Sequence, residues 1–333
     1  MNGTIVRFAC RIAPQLITLA VVVAMIGIVF PGFFDISIAN GRLYGSPIDI
    51  LNRGAPVALL AIGMTLVIAT GGIDLSVGAV MAICGAIAAT LIVEGYSLPA
   101  TLALSLGAGL LCGLWNGLLV AVLGIQPIIA TLILMVAGRG IAQLVTEGMI
   151  RTFSHDGFAS LGSGNLLWLP TPVVIWICAS ILATLIVRRT ALGMLIEAVG
   201  INRRASMLAG VNARLLLVTV YMVSGLCAAM AGIIVTADIR GADANNAGLF
   251  LELDAILAVV VGGTSLLGGH FSLIASLIGA MIIQAINTGI LVAGFPPEFN
   301  LVIKACIVLA ILVLQSPALH GVGVLLGHAK DRR

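Results

Sequence analysis

Ten long apolar stretches follow one another along the chain, and charged residues, proline or glycine separate each stretch from the next. A helix needs about 20 mostly apolar residues to cross a bilayer. Of the 333 residues, 61% are hydrophobic and only 9% are charged, which excludes an ordinary soluble domain. The chain is therefore predicted to be an all-α, polytopic helical bundle with about ten transmembrane helices. The predicted spans are residues 14–30, 55–70, 75–93, 98–122, 126–146, 171–187, 214–236, 253–268, 271–293 and 300–316.

The second and eighth of these stretches are short, so each is predicted to be a broken or re-entrant helix. The first apolar run follows Arg7 and Arg11, as in a signal peptide, but no small-x-small cleavage site comes after it. This favours a retained first span. The predicted division is a single membrane domain, residues 14–316, between an N-terminal segment, 1–13, and a tail, 317–333.

The basic residues indicate the orientation of the bundle. If both termini lie in the cytoplasm, ten of the 16 Lys and Arg residues fall on the inner side, as the positive-inside rule requires. The same topology leaves one long inner loop, 188–213, and two longer outer segments, 31–54 and 147–170. The ten basic residues are Arg7, Arg11, Arg188, Arg189, Arg203, Arg204, Arg214, Lys330, Arg332 and Arg333.

Several classes of function find no support in the sequence. A net charge of +3 is far from the basic excess of a nucleic-acid-binding protein. The six cysteines stand singly inside apolar stretches and the four histidines are scattered, so no metal site is predicted. No G-x-x-x-x-G-K-[ST] motif occurs, and no Ser or His is paired with a carboxylate at helical spacing. The chain is therefore not expected to be an enzyme or to bind a cofactor.

A glycine pattern occurs twice. Gly71–Gly78 aligns with Gly262–Gly269, and each segment lies between two apolar runs. Further on, Asn116-Gly117 leads to a proline, as does Asn287-Thr288-Gly289. Repeats with glycine-interrupted hydrophobic segments point to a transport pathway between two halves. The alternative is chance recurrence in a glycine-rich chain, since close helix packing in membranes favours small residues.

Asp74 is the most informative single residue. A charged carboxylate near the middle of a span is costly, so it should face protein or water. Its position beside Gly71-Gly72 and two residues before Ser76 predicts a break in a membrane helix. Two roles remain open for Asp74: it caps the next helix at the inner interface, or it takes part directly in the path of a solute.

Uncharged polar residues inside the spans suit a path for a neutral, hydroxylated solute, because amides and hydroxyls exchange hydrogen bonds with it at low desolvation cost. Ser and Thr also bond back to their own helix, which is the alternative role for each hydroxyl. The predicted path residues are Thr70, Gly71, Gly72, Asp74, Ser76, Asn116, Thr131 and Asn287.

The inner loop is too polar and too rich in glycine to span the membrane. A short helix from about Asn202 to Ala209 is predicted, capped by Asn202 and ended by Gly210. Arg203 and Arg204 in this helix suit either anionic lipid or a cytoplasmic protein.

From about residue 40 to residue 315, the chain resembles the membrane permeases of bacterial ABC importers for monosaccharides of the ribose, xylose and galactose type. Three motifs carry the resemblance: Thr70–Gly78, the inner-loop residues Glu197 to Gly210, and Glu252–Gly269. Three further stretches, 45–49, 239–246 and 287–291, are most similar to the galactofuranose importers.

The resemblance implies a transport subunit of the bacterial inner membrane that performs no chemistry. It implies an ABC ATPase with two nucleotide-binding halves, which uses ATP and Mg²⁺, a periplasmic sugar-binding protein, and a second homologous permease, with a paralogue favoured over a second copy. By analogy, the inner loop couples the chain to the ATPase. The coupling residues are then Glu197, Ala198, Gly200, Arg203, Arg204, Ala209 and Gly210.

Glu252 and Asp254 lie at the outer end of the eighth predicted span. They are expected to meet the binding protein, to pair with Arg240, or to belong to a solvated loop. The main alternative function is an ion-coupled secondary transporter of a small polar solute, which suits broken helices equally well. Such a transporter needs membrane-embedded carboxylates, and only Asp74 qualifies in the predicted topology.

Overall fold

A computed structural model describes residues 2–39, 42–166, 168–294 and 296–315 of the chain. Helices dominate these residues. In chain order they are α1 (Asn2–Val29), α2 (Ser46–Arg53), α3 (Ala55–Ala69), α4 (Val77–Val93), α5 (Leu98–Ala121), α6 (Pro127–Thr146), α7 (Asp156–Ser163), α8 (Thr171–Arg189), α9 (Leu192–Ile201), α10 (Arg203–Leu208), α11 (Ala213–Asp238), α12 (Leu251–Val261), α13 (Leu273–Val292) and α14 (Pro297–Gln315).

The all-α, polytopic architecture is confirmed. Every one of the ten predicted apolar stretches contains a helix. Among the described residues, six helices are long and apolar enough to cross a membrane, and a seventh span results if α2 and α3, which meet at a 44° bend, count as one. The count of ten and the cytoplasmic termini stay predictions, and Lys330, Arg332 and Arg333 lie outside the described residues.

The eighth span is a half-length helix. Helix α12 has 11 residues, about 16 Å at 1.5 Å per residue, against a hydrocarbon thickness of about 30 Å. Its N-terminal end is reached by non-helical chain that descends beside α4: a Cβ atom on Gly78 would lie 2.4 Å from the carbonyl oxygen of Gly248. Because Gly78 lies in the first turn of α4, beside the first break, the chain enters the bundle before α12 starts. The prediction of a short or re-entrant eighth span is therefore confirmed.

All strands in the described residues lie in segments that the predicted topology places outside. They form three antiparallel pairs: β1 (Ser37–Ala39) with β2 (Arg42–Tyr44), β3 (Arg151–Thr152) with β6 (Gly241–Ala242), and β4 (Asn165–Leu166) with β5 (Leu169–Pro170). The backbone N–H of Leu43 also donates to Trp168 O, which joins the first and third pairs. The predicted outer segments therefore form one connected surface.

Helix α11 is the centre of the bundle and packs against α3, α4 and α5. Glycines allow these helices to approach closely: a Cβ atom on Gly113 of α5 would lie 2.3 Å from Tyr221 O, and one on Gly232 of α11 would lie 2.3 Å from Met81 O. Small residues at such contacts permit the backbone-to-backbone packing that holds membrane helices together. Much of the glycine content is therefore used for helix packing.

The helix–break–helix unit occurs twice, as α3 and α4 around residues 70–76 and as α12 and α13 around residues 262–272. The two asparagines do not follow this repeat. Asn116 lies on α5, two helices after the first break, whereas Asn287 lies on α13, the helix that follows the second break directly. The expected equivalence of Asn116 and Asn287 is wrong, because the second unit has one helix fewer before its Asn-containing segment.

Candidate functional site

The first break is organised around a buried carboxylate. Asp74 is only 2% exposed. Its Oδ1 accepts hydrogen bonds from the backbone N–H of Ser76, at 3.0 Å, and from the Ser76 hydroxyl, at 2.6 Å, while Oδ2 accepts one from Ser224 Oγ at 2.8 Å. Asn116 Nδ2 donates to Ser76 Oγ at 2.8 Å. These four residues from three parts of the chain form one polar network, which we call the Asp74 network.

Thr131 of α6 holds the other side of the break. The backbone N–H of Leu75 donates to Thr131 Oγ1 at 3.1 Å, and that oxygen lies 2.9 Å from Pro127 O and 3.2 Å from Ile73 O. Backbone groups in a broken membrane helix need such partners because no water is available to them. Thr131 of a neighbouring helix therefore partners two backbone groups of the break, the Leu75 N–H and the Ile73 carbonyl.

The Asp74 network lies at mid-depth in the bundle. Ser224 is near the middle of α11, about 16 Å from the N-terminal end of that helix. A Cβ atom on Gly63, in the middle of α3, would lie 2.7 Å from Ser224 Cα, so the middle of α3 is at the same level. Asp74 therefore lies inside the bundle, at the level of the middle of α3 and α11. Its hydrogen bond to the Ser76 N–H still supports the start of α4.

The two breaks meet each other and the inner loop at a point that we call the glycine junction, formed by Ala69, Gly71, Gly200, Gly268 and Gly269. The backbone N–H of Gly269 donates to Ala69 O at 2.9 Å. A Cβ atom on Gly200 would lie 1.9 Å from Ala69 O, and one on Gly268 would lie 2.9 Å from the backbone nitrogen of Gly71. Only glycine permits these approaches, so three segments distant in sequence contact one another through backbone atoms.

Side chains reinforce the glycine junction. Glu197 Oε2 lies 3.0 Å from His270 Nδ1, which joins α9 to the segment after α12. Arg203 Nη2 donates to Ala121 O at 3.3 Å, which joins α10 to the end of α5. In each of these two contacts, both partners lie in segments on the predicted inner side. The inner loop is thus bonded to the inner ends of several membrane helices.

The predicted short helix in the inner loop is present as α10, and Asn202 Oδ1 caps it by accepting from the backbone N–H of Ala205 at 3.0 Å. Gly210 follows it with φ of +89°. The loop also contains α9, which sequence reasoning missed because its residues are apolar and lie outside the ten predicted spans. The solvent-exposed face of α9 and α10 presents large apolar side chains, with Leu208 91% exposed. The others are Met194, Ile201 and Met207.

Asp254 lies inside the protein and not in a solvated loop. Lys304 Nζ of α14 donates to both of its carboxylate oxygens, at 2.8 and 3.0 Å, and the two residues are only 5% and 6% exposed. The expected pairing with Arg240 is wrong, because Arg240 instead lies 3.6 Å from Asp156. Asp254 is therefore a second embedded carboxylate, which the sequence topology did not reveal, and a lysine neutralises it.

Glu252 is buried as well, at the point where the chain descends beside α4; a Cβ atom on Gly78 would lie 2.4 Å from its Oε2. The expectation of an outer-surface position for Glu252 and Asp254 is therefore wrong. The physical reason is that the chain from 243 to 250 enters the bundle before helix α12 begins, so the first turn of α12 starts inside the protein.

The segment 243–250, which descends beside α4, carries amide side chains that are exposed at the protein surface. Gln143 Nε2 of α6 donates to Asn245 Oδ1 at 2.7 Å, and Arg139 donates to the carbonyl of Ala247. Asn246 Nδ2 donates to Asp243 Oδ2 at 2.7 Å. Gln143, Asn245 and Asn246 are exposed. Together these three residues form the amide face of the chain.

The structure brings together most of the predicted path residues but not all of them. Ser76, Asn116 and Asp74 share one network, with Thr131 beside it. Thr70 Oγ1 donates to Val67 O at 2.7 Å, and Gly72 approaches the Tyr221 hydroxyl. Asn287 lies elsewhere, in a cavity beside Asp238, the last residue of α11. The role of all eight residues in a solute path stays a prediction.

A membrane bundle with broken spans, a buried network at the break and an inner loop joined to both breaks defines a membrane permease component. The model of the family described as "Branched-chain amino acid transport system / permease component" matches residues 46–312, and the chain belongs to this family. No solved structure matches the chain.

Curated relatives are similar over most of their length. The galactofuranose transporter permease of Escherichia coli is 64% identical over 91% of this chain and 89% of its own. The fructose import permease of Bifidobacterium longum is 44% identical, over 84% and 80% respectively. The ribose import permease of Escherichia coli is 38% identical, over 91% and 92%. The chain therefore resembles sugar permeases in particular.

Proposed function

We propose that this chain is a membrane subunit of an ABC importer in the bacterial inner membrane, and that the solute is a monosaccharide of the galactofuranose type. The relatives named for galactofuranose, fructose and ribose support the substrate class. The glycine junction is the observation that carries the mechanism, because it joins the inner loop directly to both broken spans.

A separate ATPase docks on the solvent-exposed face of α9 and α10. Isolated exposed leucines are common on protein surfaces, but four large apolar side chains on one short loop suit a protein partner. When the ATPase closes on ATP, it displaces α9. Because Gly200 contacts Ala69 through backbone atoms, that displacement passes to the end of α3 without a flexible side chain between them. This displacement would give the breaks a second conformation, which is the two-state element that coupling requires.

The amide face forms one wall of the sugar path. Gln143 lies in the predicted span 126–146, where an exposed amide is costly against lipid, so this side of the bundle requires either a covering protein or water. Asn245 accepts a hydrogen bond from Gln143 and lies on the same side. A second, homologous permease covers them and supplies the opposite wall, and a periplasmic binding protein delivers the sugar to the surface formed by the outer strands. The Asp74 network stabilises the conformation of the first break beside this wall. At the inner surface, anionic lipid surrounds Arg204.

The ion-coupled alternative is not favoured. Asp254 is held by Lys304, and Asp74 accepts three hydrogen bonds from serine groups. An ion-coupling carboxylate must gain and lose its ion during each cycle. Asp254 and Asp74 would each have to give up these partners to take part in that exchange.

The test is a mild-detergent pull-down of tagged chain from its native host, comparing wild type with Leu208→Asp. We expect wild type to recover an ABC ATPase and a second permease, and Leu208→Asp to lose the ATPase while retaining the second permease. Leu166→Asp, which changes an exposed leucine in an outer strand, is the matched control and should retain both. Recovery of wild type alone, together with ATP-independent sugar uptake in liposomes, would contradict the proposal.

A further inference from the structure

Two of the three strand pairs stand at the ends of peripheral membrane helices. The pair β1–β2 follows α1, and the pair β4–β5 runs directly into α8. Only 17% of the spanning window of each of these two helices is buried inside the bundle, so both helices face lipid. The backbone N–H of Leu43 joins the two strand pairs by donating to Trp168 O at 3.2 Å. We call the two pairs together the hairpin surface.

The length of α8 sets the level of β4–β5 in the membrane. Its 19 residues span about 28 Å, close to the hydrocarbon thickness of about 30 Å, and its last turn contains Arg188 and Arg189. With these arginines at the inner boundary, as the predicted topology requires, Thr171 lies at the outer boundary. Trp168 precedes Thr171 by three residues, so the two are at most about 11 Å apart. The β4–β5 pair therefore lies in or against the layer of lipid headgroups.

A contact with α1 places the start of β1 at a similar level. Phe34 lies five residues after the end of α1, yet its ring packs against Gly27, where a Cβ atom would collide with it. The chain therefore turns back along the last turn of its own span, and Phe34 is 57% exposed there. Ile36 follows two residues later, at most about 7 Å away. Strand β1 thus begins beside the edge of the hydrocarbon layer.

The β1–β2 pair has one apolar face. Ile36 and Ile38 are 55% and 62% exposed, and Ile38 is paired with Leu43. Successive side chains in a strand point to opposite faces of a sheet, and paired residues share a face. Ile36, Ile38 and Leu43 therefore lie on one face, and Ser37 lies on the other with its partner Tyr44.

The β4–β5 pair is apolar as well. Leu166, which is 51% exposed, is paired with Leu169, while Asn165 is on the opposite face. Trp168, in the turn between the two strands, is 59% exposed. No charged residue occurs in residues 157–187, so the charge-free stretch of α8 continues through this strand pair. Exposed tryptophan and aliphatic side chains without charge suit the boundary between headgroups and acyl chains.

Position distinguishes lipid from protein as the neighbour of the apolar face. The second permease is proposed to cover the amide face on α6, which packs on α4 and α5, whereas α1 packs on α13 and α8 packs on α3. The third strand pair, β3–β6, packs on α4 and leads into segment 243–250, so it is the part of the outer surface left for the binding protein. The hairpin surface instead continues the lipid-facing sides of α1 and α8.

We infer that the hairpin surface binds the outer leaflet of the bilayer, with its apolar face at the boundary between headgroups and acyl chains and with Trp168 as an interfacial anchor. The partner is a lipid surface, and the contact depends on apolar and aromatic side chains and not on lipid charge. This anchor fixes the level of α1 and α8 in the membrane. The inference does not depend on the transported solute or on the ATPase.

The test is spin-label accessibility in a cysteine-free permease complex in nanodiscs of phosphatidylethanolamine and phosphatidylglycerol. A nitroxide is attached to Ile38→Cys or Leu166→Cys on the apolar face. The matched controls are Ser37→Cys and Asn165→Cys, which change the adjacent exposed residues on the opposite faces. The two relaxation agents are molecular oxygen, which concentrates in lipid, and a nickel chelate, which stays in water.

We expect the ratio of oxygen to nickel accessibility to be several-fold higher at positions 38 and 166 than at positions 37 and 165, because adjacent strand residues face opposite sides. Equal ratios at adjacent positions would overturn the inference. Low accessibility of positions 38 and 166 to both agents would also overturn it, since a protein would then cover this face.

Tryptophan fluorescence gives a second test that keeps the native cysteines. The emission that wild type has and Trp168→Phe lacks belongs to Trp168, since Trp115 and Trp176 are present in both proteins. Lipid brominated near the headgroup should quench this part of the emission more strongly than iodide in the aqueous phase does. Quenching of this part by iodide alone would overturn the inference.

Discussion

Gly200 is the residue at which the inner loop comes closest to the membrane helices. Its α-carbon faces Ala69 O and the backbone nitrogen of Gly269, and a Cβ atom would lie 1.9 and 2.6 Å from them. Both neighbours are backbone atoms, so neither side can yield by a change of rotamer. Any side chain at this position must push α9 away from the two breaks.

Gly200→Ala is therefore expected to destabilise the subunit by about 1–3 kcal/mol, the usual cost of overpacking, and to leave ATP hydrolysis less dependent on sugar. The loss of backbone contact removes the connection through which the ATPase acts on α3. Thermal unfolding and sugar-stimulated ATPase activity of the complex measure the two effects. Gly107→Ala is the control, since nothing lies within 4 Å of a Cβ atom there. Equal behaviour of the two variants would contradict the role of the glycine junction.

Lys304 offers a second test at the scale of one residue. Lys304→Met leaves the Asp254 carboxylate buried without its partner, and removal of one member of a buried ion pair costs about 3–5 kcal/mol. The double variant Lys304→Met with Asp254→Leu removes both charges and should recover most of that loss. Unfolding in graded SDS, compared across the two single variants and the double variant, measures the coupling. A double variant that is as unstable as Lys304→Met would show that the pair itself contributes the stability.

At the scale of the elements, the sequence predicts the short helix of the inner loop better than it predicts where a membrane helix ends. Helix α10 was predicted from Asn202 and Gly210, because capping and termination are local signals. The end of α12 was not, because apolar residues such as Leu266 and Leu267 continue the hydrophobic stretch beyond it. The helix ends at Gly263, which has φ of +85°, and the backbone N–H groups of Gly263 and Thr264 donate to Val260 O and Val259 O to close the last turn. Gly262 is also held by tertiary packing, since a Cβ atom there would lie 2.7 Å from the backbone of Ser276. Hydropathy does not record contacts of this kind.

Tertiary contacts that a sequence pattern does not record also decided which parts of the candidate site were predicted. Asp74 and Ser76 were predicted together because they are two residues apart, whereas Ser224 lies 150 residues away and joins them only through the packing of α11. The Lys304–Asp254 pair and the amide face were missed for the same reason. The glycines of the junction were recognised from their motif, but their contact with Gly200 depends on the fold.

The descending segment before α12 gives a prediction about transport. Gln143→Leu removes one amide from the amide face and the hydrogen bond to Asn245. We expect the KM for import to rise roughly fivefold, the equivalent of one hydrogen bond, with little change in thermal stability because Gln143 is exposed. Initial rates of ATP-driven uptake into proteoliposomes measure this. Asn165→Leu, an exposed amide on β4, should leave KM unchanged, and a similar KM for Gln143→Leu and wild type would remove Gln143 from the path.

At the scale of the whole molecule, the amide face and the apolar face of α9 and α10 imply an assembly with two kinds of partner. The proposed second permease is a paralogue. Two copies of this chain carrying different tags, produced together, should therefore not purify with each other, while each should purify with the same second permease. Recovery of one tagged copy by the other would show that the chain pairs with itself.

The pairing of β3 with β6 has a consequence for how the protein is made. Arg151 and Ala242 face each other across this pair, yet α7 through α11 lie between them in the chain. During synthesis the segment around Arg151 reaches the outer side early, and its strand partner arrives only after α11 has been inserted. In the predicted topology the outer surface is thus completed late in biogenesis, and a chain that stops before Gly241 leaves β3 without its strand partner.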